Sequence, residues 1–323
     1  MCEKRKPAIQ YTMASLLNIS HKPSKLERIL SVRSVDGKSH HYEGIVPLHK
    51  PSLESRGVYG GNLCAQALVA AMETVGEGFI PHSLHSYFVK AGDDGLVCQF
   101  QVEKLNDGKS FANRLVRVLQ EGELKYIVMV SMTKKGKKPP IEYQTPVPPA
   151  FYKYNHKEMQ TQTKYDSSGL LQHRFPPTFL DHAITDEHTK SAGERDLSFW
   201  IRISSDVLPK YKYAGFGMVS DLVYLTSLSR ILHLPQRYPG DIGVTGGKGP
   251  HFFSVSLDHS VYFHDDNFDP SDWTFVNFKA PRLCNNRVLI QGSYYNGNGK
   301  LFATIVQEGL VFFHGGSEVK ARL

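Results

Sequence analysis

The sequence predicts an α+β fold in which one unit, a long helix wrapped by an antiparallel β-sheet, occurs twice in tandem. Three observations carry this. A glycine-led apolar helix is followed by strand-like runs in the first half, and the same order returns in the second. Short matches recur at offsets near 174 residues. They pair His85-Ser86-Tyr87-Phe88 with His259-Ser260-Val261-Tyr262-Phe263, Asn113-Arg114 with Asn286-Arg287, and Lys125-Tyr126 with Leu301-Phe302. The 323 residues, 41% of them hydrophobic, suffice for two cores.

Taken in order, residues 1–24 form a basic lead-in without the apolar core of a signal peptide. The first unit spans 25–133. Leu26 to Val32 and Tyr42 to Leu48 are its first periodic segments. Gly57 to Met72 is a helix rich in alanine and leucine, opened by Gly60-Gly61, where a ligand or another backbone can come close. Strands follow over Ser83 to Val89, Leu96 to Lys104, Phe111 to Gln120 and Leu124 to Met132, with turns at Gly92-Asp93, Asp107-Gly108 and Glu121-Gly122. Residues 134–190 read as a linker region, rich at first in lysine and proline. The second unit covers 191–316, with a strand at Leu197 to Ser204, a helix, a loop from His233 to Pro250, and strands at His251 to His264, Trp273 to Ala280, Arg287 to Tyr295 and Leu301 to His314. Residues 317–323 form a tail. Two sheets of this kind would join edge to edge and so remove exposed strand edges.

The second helix is the most informative stretch. Gly217 to Leu232 reads as one buried helix with Ser220 as N-cap. Leu225, Leu228 and Leu232 make an apolar stripe, and one step back along it lies Asp221. A core-facing carboxylate is costly unless it is paired or hydrogen-bonded. The alternative is a first-turn acid that complements the helix dipole and points to water.

Differences between the two copies locate further candidates. Asp221 falls where the first helix has Gly61 or Asn62. Gln307, on the face of Leu301, Ala303 and Ile305, falls where the first unit has Ser131. Ser256 falls at Ser83 or His82. The second unit thus places Asp221, Ser256 and Gln307 on elements that pack together, although each alone has an ordinary structural explanation.

The formal net charge of +7 suits an anionic ligand such as a phosphate-bearing cofactor, and no nucleic-acid motif accompanies it. The four cysteines have no Cys-x-x-Cys spacing, which argues against zinc or a disulfide framework. No run of about 18 apolar residues is present to cross a membrane. Gly246-Gly247-Lys248-Gly249-Pro250 fails as a phosphate-binding loop, because Ile242 stands where glycine is needed and no Ser or Thr follows Lys248.

These motifs, in this order, resemble the acyl-CoA thioesterase II family, whose members carry two hotdog folds in one chain. The resemblance runs from about Lys25 to Phe313. It includes Gly57-Val58-Tyr59-Gly60-Gly61 with Gln66-Ala67-Leu68, then His82-Ser83-Leu84-His85-Ser86-Tyr87-Phe88. Ser220-Asp221-Leu222, Leu257-Asp258-His259-Ser260 and Val306-Gln307-Glu308-Gly309 complete it. The chain departs from the family at Asn62, often glutamine, at Lys90-Ala91, usually Arg-Pro, and at Ser256, often threonine. The resemblance implies a double hotdog enzyme that hydrolyses fatty acyl-CoA, with catalytic Asp221, Ser256 and Gln307 and no cofactor.

Asp221 would activate or orient water. Amides at Gly60-Gly61-Asn62 are oxyanion candidates, with the Gln307 amide as rival. His82 is a lesser substrate-binding candidate beside Gly60 and Gly61. Two other readings are an acyl-CoA binder without hydrolysis and a hydratase using Asp258 and His259, whose side chains point to opposite faces of a strand. Ala321-Arg322-Leu323 matches a variant of the Ser-Lys-Leu peroxisomal address, so a peroxisomal import receptor is an expected partner. A homo-oligomer is expected by analogy with other hotdog proteins.

Overall fold

The computed structural model describes residues 23–52, 55–136, 141–163, 167–221, 224–234, 247–248 and 251–314. The basic lead-in up to residue 22, the C-terminal tripeptide and most of the loop from 235 to 250 lie outside them.

The first half begins with α1 (Lys25–Leu30), where Ser24 and Glu27 form a reciprocal capping box. Two short strands, β1 (Val32–Ser34) and β2 (His41–Gly44), precede the central helix α2 (Gly60–Met72). The meander β3 (Phe79–Phe88), β4 (Gln99–Asp107), β5 (Phe111–Gln120) and β6 (Glu123–Lys134) then wraps it. Alternation sets the inner face. Ala112, Val116 and Val118 of β5 and Tyr126, Val128 and Val130 of β6 are buried under α2.

The linker region holds α3 (Ala150–Lys153), β7 (Leu171–Arg174) and α4 (Pro177–Leu180). The second half follows with β8 (Leu197–Ile203), α5 (Lys212–Val219), α6 (Leu228–Ile231), β9 (Gly247–Lys248), β10 (Phe252–Ser256) and β11 (Asp258–Phe263). It closes with β12 (Thr274–Cys284), β13 (Arg287–Tyr295) and β14 (Leu301–Phe313). Among the described residues the strands form one sheet, ordered β1-β2-β4-β5-β6-β3-β11-β14-β13-β12-β8-β7, with β10 paired to β14 and β9. The two meanders join through antiparallel β3 and β11, with Leu84 opposite Val261 and Ser86 opposite His259. The Ser86 hydroxyl donates to the His259 carbonyl across this seam at 2.7 Å. The predicted edge-to-edge union of two sheets is therefore present.

Four expectations need correction. The helix read over Gly217 to Leu232 ends at Val219, and Ser220 is its C-cap rather than an N-cap. At this end the other half makes contact, the Met218 carbonyl accepting from the Tyr59 hydroxyl at 2.6 Å. The Gly217 carbonyl lies 3.1 Å from the Ser220 hydroxyl, whose shorter contact is to His259 of β11. The linker region is not merely a connector, since β7 extends the sheet edge against β8. The strand read over His251 to His264 is broken at Leu257 into β10 and β11, both of which pair with β14. Finally, Ser131 is not the counterpart of Gln307 in phase. Ser131 accepts from Asn113 and meets His82 beside the exposed Phe111, whereas Gln307 is 1% exposed. The slip lies in β14, where the pairing with β13 shifts between Tyr294 and Tyr295 and consecutive Phe302 and Ala303 are both buried.

The helices α2 and α5 pack face to face through small residues. A Cβ on Gly217 would meet Leu68 and Cys64 at 3.1 and 3.3 Å, and a Cβ on Gly61 would meet the Met218 carbonyl oxygen at 2.7 Å. Gly61→Ala should therefore lower stability by about 1–3 kcal/mol, the usual cost of overpacking. Gly76→Ala, where a Cβ meets nothing within 4 Å, should change it by less than about 0.5 kcal/mol. Urea denaturation checks both, and equal effects would contradict this packing.

Candidate functional site

The site forms where the first half's helix begins and the second half's helix ends. Tyr59, the N-cap of α2, gives that helix no side-chain cap. Asp221, just past the end of α5, fills the vacancy, because its carboxylate accepts from the Gly61 amide. Close approach requires glycine. A Cβ on Gly60 would lie 2.5 Å from an Asp221 carboxylate oxygen and 2.6 Å from the Phe88 ring. Asp221 thus sits at a helix N-terminus, but not at that of its own segment.

Gln307 reaches Asp221 from β14. Its Nε2 donates to Asp221 Oδ1 at 2.8 Å and to Ser256 Oγ at 2.6 Å. Ser256 is the last residue of β10 and stands opposite Gly309, next to the break at Leu257. There the Leu257 amide donates to the Glu308 carbonyl and the Glu308 amide donates to the Asp258 carboxylate. The absent side chain at Gly309 leaves room for Leu225, whose Cδ2 would be 2.2 Å from a Cβ there. Asp221, Ser256 and Gln307, singled out in the sequence, are therefore in mutual contact.

The three line a cavity of about 620 Å³ shared by both halves. Its walls include Tyr59, Gly60, Leu63, Phe88, Tyr224, Leu225 and Leu257, which suit an apolar chain. Arg56, Lys90 and Lys125 also line it and offer positive charge to an anion. Glu123 pairs with Lys90 and, at 2.5 Å, with Lys125.

Burial raises the Asp221 pKa to about 7, while hydrogen bonds from Gln307, the Gly61 amide and Ser256 oppose the rise. The buried thiol and phenols near it stay uncharged at neutrality. Burial pushes the Cys64 thiol up to about 12 and raises Tyr126, Tyr224 and Tyr294 above the ordinary phenol value.

Other sequence candidates fall elsewhere. His82 is half-buried on β3, bonded to Ser131 and edge-on to Phe111, and it does not line the cavity. Of the proposed oxyanion amides, that of Asn62 donates to the Tyr59 carbonyl and that of Gly61 serves Asp221, which leaves Gly60 at the cavity wall. Asp258 and His259 turn to opposite faces. Asp258 holds the Glu308 amide, while His259 is fully buried with Nε2 2.8 Å from Ser220 Oγ. Sequence reading missed the aromatic wall and Tyr59. Its adjacency to the glycine pair was the available signal.

Comparison with known proteins bears on these features. A profile described as the acyl-CoA thioesterase N-terminal domain matches residues 49–134, and one described as the C-terminal domain matches 155–311. Peroxisomal acyl-coenzyme A thioester hydrolase 1 of Saccharomyces cerevisiae is 25% identical over 358 residues, covering 93% of this chain and 97% of the relative. Acyl-coenzyme A thioesterase 8 of Homo sapiens is 29% identical over 275 residues, covering 80% of this chain and 81% of the relative. Among solved structures, an acyl-CoA thioesterase II TesB2 from Mycobacterium marinum has the same fold. Its TM-score is 0.68 at 23% identity, over 90% of this chain and 98% of that one.

The raised Asp221 pKa has a consequence for stability. Between pH 4 and 7 the folded protein holds a proton that the unfolded chain releases, so this contribution to stability is lost as pH rises through about 7. Asp221→Asn should therefore stabilise the protein at pH 8 by up to roughly 4 kcal/mol and give little benefit below pH 4. Thermal melts at both pH values test this, and an equal gain at each would contradict it.

Proposed function

The chain belongs to the acyl-CoA thioesterase family, and from that premise we propose that it hydrolyses fatty acyl-CoA to free acid and coenzyme A through Asp221, Ser256 and Gln307. One observation carries the residue assignment. In a cavity walled by both halves, a single amide nitrogen ties the only carboxylate among these three groups to a serine hydroxyl.

The chemistry follows from proton positions. The Gln307 Nε2 hydrogens go to Asp221 and Ser256, and the Ser256 hydroxyl donates to Asp221. Ionised Asp221 retains free lone pairs for a water in the cavity. It removes a proton as that water attacks the thioester carbonyl, which is general base catalysis. The carbonyl electrons move onto oxygen, and the Gly60 amide at the N-terminus of α2 is placed to stabilise that charge. Collapse of the tetrahedral intermediate breaks the C–S bond. The departing thiolate receives the proton from Asp221, which regenerates the carboxylate. Ser256 serves as an orienting group, because its hydroxyl is engaged by Asp221 and Gln307 and, among the described residues, no histidine lines the cavity to activate it as a nucleophile. The acyl chain lies along the apolar wall and the coenzyme A phosphates toward Arg56, Lys90 and Lys125.

We also propose a peroxisomal location, supported by the printed name of the yeast relative. A fluorescent fusion that leaves Ala321-Arg322-Leu323 free should colocalise with peroxisomes, and a diffuse cytosolic signal would contradict this.

Free-thiol release from a panel of acyl-CoA thioesters tests the reaction. Wild-type kcat/KM should fall as pH drops below about 7. Asp221→Asn should lower kcat by about 100-fold or more and abolish that acid limb. Unchanged rates would remove Asp221 from the reaction, and tight binding without release would favour a binder.

A further inference from the structure

Gln307 is the hub of the proposed site, and its usefulness depends on which end of its amide faces Asp221. Oxygen and nitrogen of a side-chain amide are nearly the same size, so shape alone does not choose between the two orientations. With Nε2 toward Asp221 and Ser256 the amide gives two hydrogen bonds. Flipped, Oε1 would face a carboxylate and repel it. Some group on the far side must therefore hold the oxygen.

The structure offers one such group. Ser260 pairs with Val306 across β11 and β14, so the next step along both strands sets His259 opposite Gln307. His259 is fully buried, and its Nε2 lies 2.8 Å from the Ser220 hydroxyl, shorter than the 3.1 Å from that hydroxyl to the Gly217 carbonyl. Two buried polar atoms are left over by these contacts, Nδ1 of His259 and Oε1 of Gln307. An unsatisfied buried pair of this kind is costly unless the two serve each other.

We infer that His259 is a positioning residue for the proposed hydrolysis, holding the carbonyl oxygen of Gln307 with its Nδ1–H so that the amide nitrogen faces Asp221 and Ser256. The Ser220 hydroxyl donates to Nε2 and thereby selects the Nδ1–H tautomer. The result is a closed ring of contacts, from Ser220 through His259 and Gln307 to Asp221, which is joined to Ser220 by a peptide bond. His259 stays neutral, as burial lowers its pKa to about 4 while Gln307 pulls the other way. The groups facing it are Ser220 at the end of α5, Gln307 on β14 and Ser86 on β3. None is a carboxylate, and Asp258 points to the opposite side. This inference rests on the reading of Asp221, Ser256 and Gln307 as the catalytic residues.

The test compares His259→Leu, which removes the donor, with His259→Asn, whose amide nitrogen can occupy the Nδ1 position. His259→Leu should lower kcat by about 10- to 100-fold, the scale of a reacting group displaced by about 1 Å, with KM little changed. The acid limb of kcat/KM should move to higher pH, because Asp221 loses a hydrogen bond that favours its charged form. His259→Asn should recover most of kcat and the original limb. In a Gln307→Leu background, His259→Leu should add little, since both act through one contact. An unchanged limb, equal loss in the Leu and Asn variants, or full additivity with Gln307→Leu would overturn the inference. Should His259→Leu fail to fold, Ser220→Ala carries the test, since it frees the ring and should shift the limb in the same direction. An unshifted limb there would overturn the inference too. Asp221→Asn assayed alongside separates the two readings. If it stays active, the catalytic assignment fails. If it is inactive while the His259 variants behave as wild type, only the positioning role fails.

Discussion

A carboxylate at the start of a helix from the other half of the chain is the contact on which the rest depends. Asp221 caps α2 in place of a local side chain, and Gly60 and Gly61 are glycines because that approach leaves no room for a Cβ. The same junction meets the end of α5, where the Tyr59 hydroxyl donates to the Met218 carbonyl. Neither half alone could build the cavity. The first brings the helix amides, Tyr59 and Phe88, and the second brings the acid, the hydroxyl and the amide. The two copies have thus diverged where they meet, each bringing different groups to the cavity.

Two opposing effects set the acid strength there. Hydrogen bonds to a charged group are each worth about 1.5–3 kcal/mol, and the helix terminus adds to them. Gln307, the Gly61 amide and Ser256 all act in that direction, yet burial outweighs them and the pKa rises to about 7. The balance is useful. A carboxylate at its ordinary pKa would be too weak a base, and one raised much further would be protonated at neutral pH. On the proposed mechanism, correct aim of the Gln307 amide is part of that balance, and the buried neutral histidine behind it is the group inferred to hold that aim.

Much of this was legible in the sequence. Helix and meander order, the repeat offsets and the edge-to-edge sheet followed from periodicity and turn residues, all of them local signals. Asp221 stands out by its place on the apolar stripe read for the second helix, and Ser256 and Gln307 by comparison of the two copies. What escaped depended on contacts distant in sequence. Ser220 has the chemistry of an N-cap, but the helix stops before it, at a turn held by Tyr59, 161 positions earlier. The helix dipole acting on Asp221 was assigned to the wrong helix for the same reason. Ser131 matches Gln307 by sequence offset but not by face, because an irregularity at Phe302 slips the inward face of β14 by one residue, which alternation alone does not reveal. In the sequence His259 stands out only as the hydratase partner of Asp258, since its contacts Ser220 and Gln307 come from two other elements.

The central claim is that Asp221 directs water at the thioester in one step. The most direct test is a single turnover with enzyme in excess, quenched rapidly, with coenzyme A and free fatty acid measured in the same samples. Direct attack by water predicts that both products appear with one rate constant. Release of coenzyme A ahead of the acid, with the acyl group retained on Ser256 or Asp221, would contradict it.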